Sequence, residues 1–537
     1  MLFWFAVAIL SAGFAYYFWI SLRYFTHMLQ LNSYYNRRYL KWLRHRQRRE
    51  ARFLLAAMIV SSIVLRFFLA RDIYLFLHGL VFLGLALRRK RIVEKKPLVY
   101  TWRVRRLLIS EAAVFCLAFL ISAKLFALTF WWELPFLLAF YNFLAPLLIL
   151  AANLINRQIE KSIAKGFVRD AKKILAEHPG LTVIGVTGSY GKTSTKKLLY
   201  QLLNVDFQVL ATPESYNTTM GVVRTIREKL TAAHQVFIVE MGAKKSGDIK
   251  EICNLVEPAI GILSSIGEMH LDTFHTIENI IQTKFELAEA VGEKGIMFLN
   301  YDNHYIREHD LSQPAIRYGL GRQGDVSGLD VWADQIVSGP SGSQFDLCFV
   351  DGAVIHCKTR LLGELNVLNI AAAAAVTIRL GIAPERLGQL ISQLEPIQHR
   401  LQLLPPGSRY QIIDDAFNAN PEGANQALET LSGFPGFRVL ITPGMVELGD
   451  HEEELNRQLG RQAAGHCDYI IIVGENRSFA IKGGALQEGY DEGAIYIAKD
   501  IQDALRKADA LSIDPGRKAG PMTVLLENDL PDNFLGT

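Results

Sequence analysis

Five apolar runs crowd into the first 155 residues: Leu2–Leu22, Phe53–Ala70, Ile73–Leu87, Leu107–Phe130 and Leu134–Ile155. Each is near or somewhat below the roughly 20 residues a helix needs to cross a bilayer, so the reading is about five spans. The links after the first and third runs, "NRRYLKWLRHRQRREAR" and "RRKRIVEKKPLVYTWRVRR", are strongly basic. The other two, Arg71-Asp72 and Trp131–Glu133, are short and carry almost no net charge. Positive charge facing the cytoplasm gives one orientation for every link: the N-terminus outside, both basic links and everything after Ile155 inside. No basic residue precedes the first run and further runs follow it, unlike a secretory leader. A multi-pass protein of the inner or plasma membrane, with membrane lipid as a partner, is the expectation. Arg66, Glu111 and Lys124 lie in or near the ends of these runs, as functional ions or as side chains that snorkel to the interface. The third run is short enough to be tilted or re-entrant, which leaves the count open by one or two.

Net charge gains meaning only when divided. Residues 1–152 hold 21 Lys+Arg against 5 Asp+Glu, and residues 153–537 hold 36 against 48, so +16 and −12 cancel to the overall +4. The basic residues flank apolar runs and do not line a soluble face, which points to a membrane and away from nucleic acid. Five cysteines, Cys116, Cys253, Cys348, Cys357 and Cys467, form no CxxC pair, a pattern of reduced thiols with no disulfide framework or zinc ribbon. With 537 residues the chain has room for two to four domains.

Residues 156–180 have helical spacing and end at Pro179-Gly180, forming a connector. From Leu181, β-branched runs ("LTVIGVTG", "FQVLAT", "VFIVEMGA", "AIGILSSIG", "GIMFLN") alternate with helical segments, predicting a parallel sheet covered on both faces. Ligands then bind at the carboxyl ends of strands. There the sequence "VTGSYGKTST" joins strand Val183–Val186 to a helix beginning near Lys192. Gly188 and Gly191 allow backbone N–H groups, with Ser189 and Ser194, to close around phosphate; Lys192 can neutralise it, and Thr193 can offer its hydroxyl to Mg²⁺. The strict GxxxxGK[ST] pattern fails, because Val186 stands at its first position.

The loop resembles that of the Mur ligases, ATP-dependent enzymes that add amino acids or dipeptides to the peptidoglycan precursor. Further segments, in the family's order, resemble the member that adds D-alanyl-D-alanine: "IVEMGAKKSGDI", "SSIGEMHLDTFHTIENIIQTKFEL", "LNYDN", "LLGELNVLNIAAAAAV", "IQHRLQ", "IIDDAFNANPEGANQALETL" and "GMVELG". The resemblance implies ATP and two Mg²⁺ sites, and an amide bond formed through an acyl phosphate, so that ADP and phosphate are released. It implies Mg²⁺ ligands at Thr193, Glu240 and His270, with Lys284 as a carbamylated lysine holding the second metal. Asn217 would lie near the γ-phosphate, and Asn366, Asn369, Arg400 and Asp415 would hold adenine, ribose and phosphates across a domain junction. Asn418 and Asn420 would fix a loop near the reacting groups, with a plain turn before Pro421 as the simpler account. His399 is a supporting residue. The implied organisation is a transmembrane region at 1–155, the connector, an α/β central ATPase domain at 181–400 and an α/β Rossmann-like C-terminal domain at 401–537. The last would bind the amine and close over the ATP.

Two departures bear on the substrates. The spans and connector stand where the family places its UDP-sugar-binding domain. Near the C-terminus, "LLENDLPDNF" replaces a "KGS" or "KGH" element, and Leu365 stands where a histidine is common. The expectation is a membrane-anchored ligase joining an amino acid or dipeptide to a muramoyl peptide or other carboxylate acceptor, one that is lipid-linked. A poly-γ-glutamate-type ligase and a non-catalytic ATP-binding scaffold are the alternatives.

Overall fold

The computed structural model describes residues 1–537 except 47–48, 90–96, 128, 215, 270, 310, 322–323, 406–408, 418–419, 447, 449–450 and 529–537. The side chains of 45–46, 49–55, 89 and 271–272 also lie outside the described set. His270 and Asn418 therefore fall outside it. The chain divides into two compact units, one built on Met1–Lys165 and the other on Gly166–Leu530.

The first unit is helical: α1 (Leu2–Leu31), α2 (Asn36–Arg46), α3 (Arg49–Leu65), α4 (Arg71–Arg89), α5 (Trp102–Leu125) and the start of α6 (Phe130–Ala176). Helices cover all five apolar runs, but among the described residues only α1, α5 and α6 are long and apolar enough to cross a membrane. Against the expected five spans, the described residues thus offer three candidates. In α3 the apolar helix within the described residues is Ala56–Leu65, and α4 begins with Arg71-Asp72 and ends with Arg88-Arg89. Two links also move. Asp72 and Glu133 sit in the first turns of α4 and α6 and not between helices, where a carboxylate suits the positive end of the helix dipole.

Ion pairs and close backbone approach order this unit. At one end, Arg66 Nη1 meets Glu133 Oε1 at 2.5 Å and Tyr74 Oη donates to Trp132 O at 3.1 Å. At the other, Arg106 pairs with Glu160 at 2.7 Å. Gly13 and Gly79 let α1 and α4 touch, since a Cβ at Gly13 would lie 2.5 Å from Gly79 O.

In the second unit the elements alternate as expected: β1 (Thr182–Thr187), α7 (Lys192–Leu203), β2 (Val209–Ala211), α8 (Thr219–Lys229), β3 (Val236–Glu240), α9 (Asp248–Val256), β4 (Ile260–Leu263), α10 (Leu271–Phe274), α11 (Ile277–Val291), β5 (Ile296–Asn300), α12 (His304–Arg307) and β6 (Ala315–Leu320). Three further strands follow, β7 (Val331–Gly339), β8 (Gly342–Phe349) and β9 (Val354–Thr359), then α13 (Glu364–Arg379) and α14 (Pro384–Ser392). The sheet runs β2-β3-β1-β4-β5-β6-β7-β8-β9, parallel as far as β7 and antiparallel beyond it. Alanines 371–375 are buried along α13, where small side chains admit close packing of the helix into the core of this sheet.

A second sheet comprises β10 (Gln402–Leu403), β11 (Gln411–Asp415), β12 (Phe437–Thr442), β13 (Tyr469–Val473), β14 (Ile495–Ala498) and β15 (Met522–Glu527), in the order β10-β11-β15-β12-β13-β14. Helices α15 (Pro421–Ser432), α16 (Glu452–His466), α17 (Ser478–Gln487) and α18 (Ile501–Ser512) connect its parallel strands. The order places β15 between β11 and β12, bringing the carboxyl ends of β11 and β15 side by side, with Asp415 opposite Glu527.

Candidate active site

The loop after β1 is shaped by what surrounds it. A Cβ on Gly188 would lie 2.2 Å from Ser264 Oγ, and Gly191 takes a left-handed φ of 79° as the N-cap of α7. Two residues after β4 brace the loop: Ser265 O accepts from Ser189 N (2.7 Å) and Ser265 Oγ from Tyr190 N (2.8 Å). Ser264 Oγ donates to the Tyr190 carbonyl. The Ser189 hydroxyl is spent on Gly267 O at 3.0 Å, and Ser194 is buried. Lys192 bends back so that its Nζ donates to Gly188 O (2.7 Å) and Ser189 O (2.8 Å). Burial lowers its pKa to about 8, against the raising influence of Glu240. A poorly solvated ammonium held on loop carbonyls is ready to meet an anion at the loop.

Glu240 closes β3 beside the loop. Its Oε1 accepts from Thr193 Oγ1 (3.1 Å) and Asn217 Nδ2 (3.0 Å), while Oε2 lies 2.8 Å from Lys196 Nζ. Burial acts to raise its pKa, yet Lys196, Lys192 and Asn217 hold it below the usual carboxylate range. Lys196, buried on α7, was not among the residues expected at the site; it also donates to the Glu214 carbonyl.

Mg²⁺ takes oxygen ligands, commonly one or two carboxylates completed by phosphate oxygens and water. The ionised Glu240 carboxylate beside the Thr193 hydroxyl fits that chemistry. Among the described residues no three His, Cys, Asp or Glu are grouped to hold a metal by themselves. Lys284, on α11, is buried; desolvation first, then the charge of Lys192, pushes its pKa well below the ordinary range. Among the described residues no carboxylate lies within ion-pair distance of its Nζ.

The predicted nucleotide residues separate into two sets. Asn369 and Asn366 bond within the central domain: Asn369 Oδ1 accepts from Thr195 Oγ1 (2.9 Å), and Asn366 Nδ2 donates to Leu362 O (2.9 Å). Arg400 and Asp415 lie near enough for each charge to act on the other. Arg400 lies 4.4 Å over the Phe417 ring, and burial lowers its pKa while Asp415, Glu240 and Glu527 raise it. Asp415 Oδ1 accepts from Leu401 N (3.1 Å). Glu527, also absent from the expected set, is buried opposite Asp415 in the strand register; burial and then the Asp415 charge push its pKa well above the usual range. His399 pairs with Asp414 at 2.7 Å. Asn420 caps α15, its Oδ1 accepting from Gly423 N (2.8 Å).

A cavity of about 320 Å³ lies between β5–β6, the start of α13 and α15, with Asn303, Leu329, Leu365, Leu368 and Gln426 in its wall. Asn303 Nδ2 donates to Ile266 O (2.8 Å), while its buried Oδ1 has no partner among the described residues. The wall is mainly polar and charged, with Asp302, Arg307, Asp325 and Glu422 beside the leucines, so a ligand here would be held chiefly by hydrogen bonds.

Residues 186–377 match the Mur ligase middle domain and residues 399–525 the Mur ligase glutamate ligase domain. The chain is 30% identical over 372 residues to the UDP-N-acetylmuramoyl-tripeptide–D-alanyl-D-alanine ligase of Mycobacterium bovis, covering 64% of this chain and 71% of that protein. The chain belongs to the Mur ligase family. The enzyme of the same name from Bacillus subtilis is 29% identical over 345 residues, with coverage of 62% and 72%. Among solved structures, MurF from Acinetobacter baumannii superposes with a TM-score of 0.61 at 26% identity, covering 68% of this chain and 77% of that one. MurF from Thermotoga maritima in complex with ADP gives 0.59 at 25%, covering 68% and 80%. This Mur ligase is accordingly an ATP-dependent, ADP-forming, MurF-like ligase of the peptidoglycan-precursor type.

Proposed function

We propose that this Mur ligase is anchored in the plasma membrane and adds an amino acid or dipeptide, D-alanyl-D-alanine being the nearest case, to a muramoyl peptide carried on polyprenyl diphosphate. The observation that carries this reading is the continuity of α6, which begins in the apolar run and ends at Ala176, close to β1 at Thr182. Aromatic residues support it: Phe3 and Trp131 rings lie 5.2 Å apart and Trp4 and Trp131 6.1 Å apart, at the end that carries Arg66 and Glu133, as at a membrane interface. The second unit, with the ATPase domain at 181–400 and the amine-binding domain at 401–537, then lies in the cytoplasm.

In this reading the backbone of Gly188–Gly191 and the Lys192 ammonium hold the ATP phosphates. Glu240, Thr193 and a carbamylated Lys284 would hold Mg²⁺, which when bound would supply charge neutralisation for transfer of the γ-phosphoryl group to the acceptor carboxylate. His270 joins them by resemblance alone. Asn303 accepts from the adenine amino group, and Arg400 bridges toward the phosphates with Asp415 behind it. The amine then attacks the acyl phosphate, its nitrogen bonding to the carbonyl carbon while phosphate leaves and the nitrogen gives up a proton.

Phosphate release by the purified chain in detergent tests the acceptor, comparing UDP-linked with polyprenyl-diphosphate-linked muramoyl peptide. Faster turnover is expected on the lipid-linked form; faster turnover on the UDP form overturns the reading.

A further inference from the structure

The basic end of the helical unit is more rigidly built than a positively charged link requires. The chain passes from α1 to α2 through Ser33 and Tyr34, with φ of 55° and 60°, a region non-glycine residues seldom occupy. Contacts from three directions hold that corner. Asn153 Nδ2 donates to Tyr34 O (3.1 Å) and Asn36 Oδ1 (2.6 Å), and Gln30 Nε2 donates to Tyr34 Oη (3.1 Å). The Arg103 guanidinium lies 3.8 Å over the Tyr34 ring. Gln30 also clasps Val99, accepting from its N (3.1 Å) and donating to its O (3.0 Å), which fixes the segment entering α5.

Helix α2 is oriented by this corner. It buries Tyr39, Trp42 and Leu43, with the Trp42 ring 6.1 Å from Tyr24 of α1. Arg37, Lys41 and Arg44 are exposed, and their i, i+4, i+7 spacing sets them on one face. Arg103 stands beside the start of that face, through its stack on Tyr34, and Arg105 is exposed on the same first turn of α5.

Attraction to an anionic leaflet needs only charge, and a mobile polybasic link supplies it. A pre-set row of cations on a locked helix matches a compact group bearing several charges, which guanidinium groups grip with paired hydrogen bonds. We infer that the α2–α5 corner is a binding site for the diphosphate head group of a lipid. The inference rests on the lipid-linked reading of the acceptor, because that acceptor would present such a head group to the cytoplasmic end of the helices.

The test titrates the full-length chain in detergent with a short polyprenyl diphosphate, following binding by calorimetry. The matching monophosphate and phosphatidylglycerol are run alongside. The diphosphate is expected to bind more tightly than both. An Arg37→Gln/Lys41→Gln/Arg44→Gln variant should lose at least tenfold, since each cation near an anionic group contributes about fivefold. Arg37→Lys/Arg44→Lys should keep most of the affinity, and ATP binding should be unaltered in both, showing that the chain is folded. Unchanged affinity in the triple variant, or phosphatidylglycerol binding as tightly as the diphosphate, overturns the inference. Binding is read without turnover, so the two readings fail separately. Diphosphate that binds while UDP-linked acceptor turns over faster rejects only the acceptor assignment; lipid-linked turnover without α2-dependent binding rejects only this site.

Discussion

Lys196 Nζ lies 2.8 Å from Glu240 Oε2, and the two side chains are 2% and 1% exposed. The pair fixes one carboxylate oxygen and leaves the other facing Thr193 and Asn217, the side on which a metal would be bound. Breaking a buried pair leaves an uncompensated charge, at a cost of about 3–5 kcal/mol. Lys196→Met should therefore destabilise the chain by about that much in denaturant unfolding, and weaken Mn²⁺ binding measured by electron paramagnetic resonance with a non-hydrolysable ATP analogue present. Lys196→Met/Glu240→Met should recover much of the stability while metal binding stays lost. A single variant as stable as the parent would show that the pair is not closed in solution.

Asp415 and Glu527 give a pH signature. Glu527 titrates well above 4.5 in the folded chain, so the folded state holds a proton that the unfolded state releases once pH exceeds about 4.5. Stability from this group is present below that value and falls as pH rises through the raised folded pKa. Glu527→Gln cannot ionise. Its melting temperature should match the parent near pH 4.5 and lead by roughly 2–4 °C at alkaline pH, for about 1 kcal/mol removed. Parallel curves across the range would separate Glu527 from the titration.

Lys196 and Glu527 mark where sequence reading stopped. Thr193 and Glu240 were legible because a strand–loop–helix unit puts its loop, and the end of the neighbouring strand, at one sheet edge. Lys196 was not, because "TKK" places two lysines on one helix and only packing decides which turns inward; Lys196 is buried and Lys197 half-buried. Glu527 meets Asp415 only because β15 inserts beside β11, a sheet order that local pattern does not encode. The hairpin β7–β8 carried its own signals, alternating apolar residues around "GPSG", but lies outside the βα repeat that organised the reading. For the helices, apolarity was legible and span number was not, because charged residues at both ends of α4 shorten its apolar length.

Lys284 is a buried amine with no carboxylate at ion-pair distance among the described residues, and carbamylation would turn that desolvated amine into a metal-binding anion. Enzyme equilibrated with ¹³C-bicarbonate should give a carbamate resonance in the carbon NMR spectrum, absent from Lys284→Ala. Lys284→Ala should also lower kcat by about 10²-fold or more, with smaller change in the KM for ATP, as for loss of a transition-state interaction. A spectrum with no carbamate signal removes the modification from the mechanism.

Gly188 tests whether the loop is built for close approach. A Cβ there meets Ser264 Oγ at 2.2 Å and Ser265 N at 2.9 Å, and backbone atoms of the loop cannot retreat while Ser265 holds Ser189 N and Tyr190 N. Gly188→Ala should therefore displace the loop and the Gly188 carbonyl that positions Lys192. The expected result is a rise in the Kd for ATP of at least about tenfold, equivalent to 1.4 kcal/mol, with the melting temperature nearly kept. Ser264→Gly removes the nearer obstacle and the hydroxyl that donates to the Tyr190 carbonyl. Gly188→Ala/Ser264→Gly should recover part of the affinity, because the Ser265 N contact remains. Calorimetric titration with ATP would decide: full binding by Gly188→Ala alone would mean that the loop relaxes freely and that glycine at this position is not required for the phosphate site.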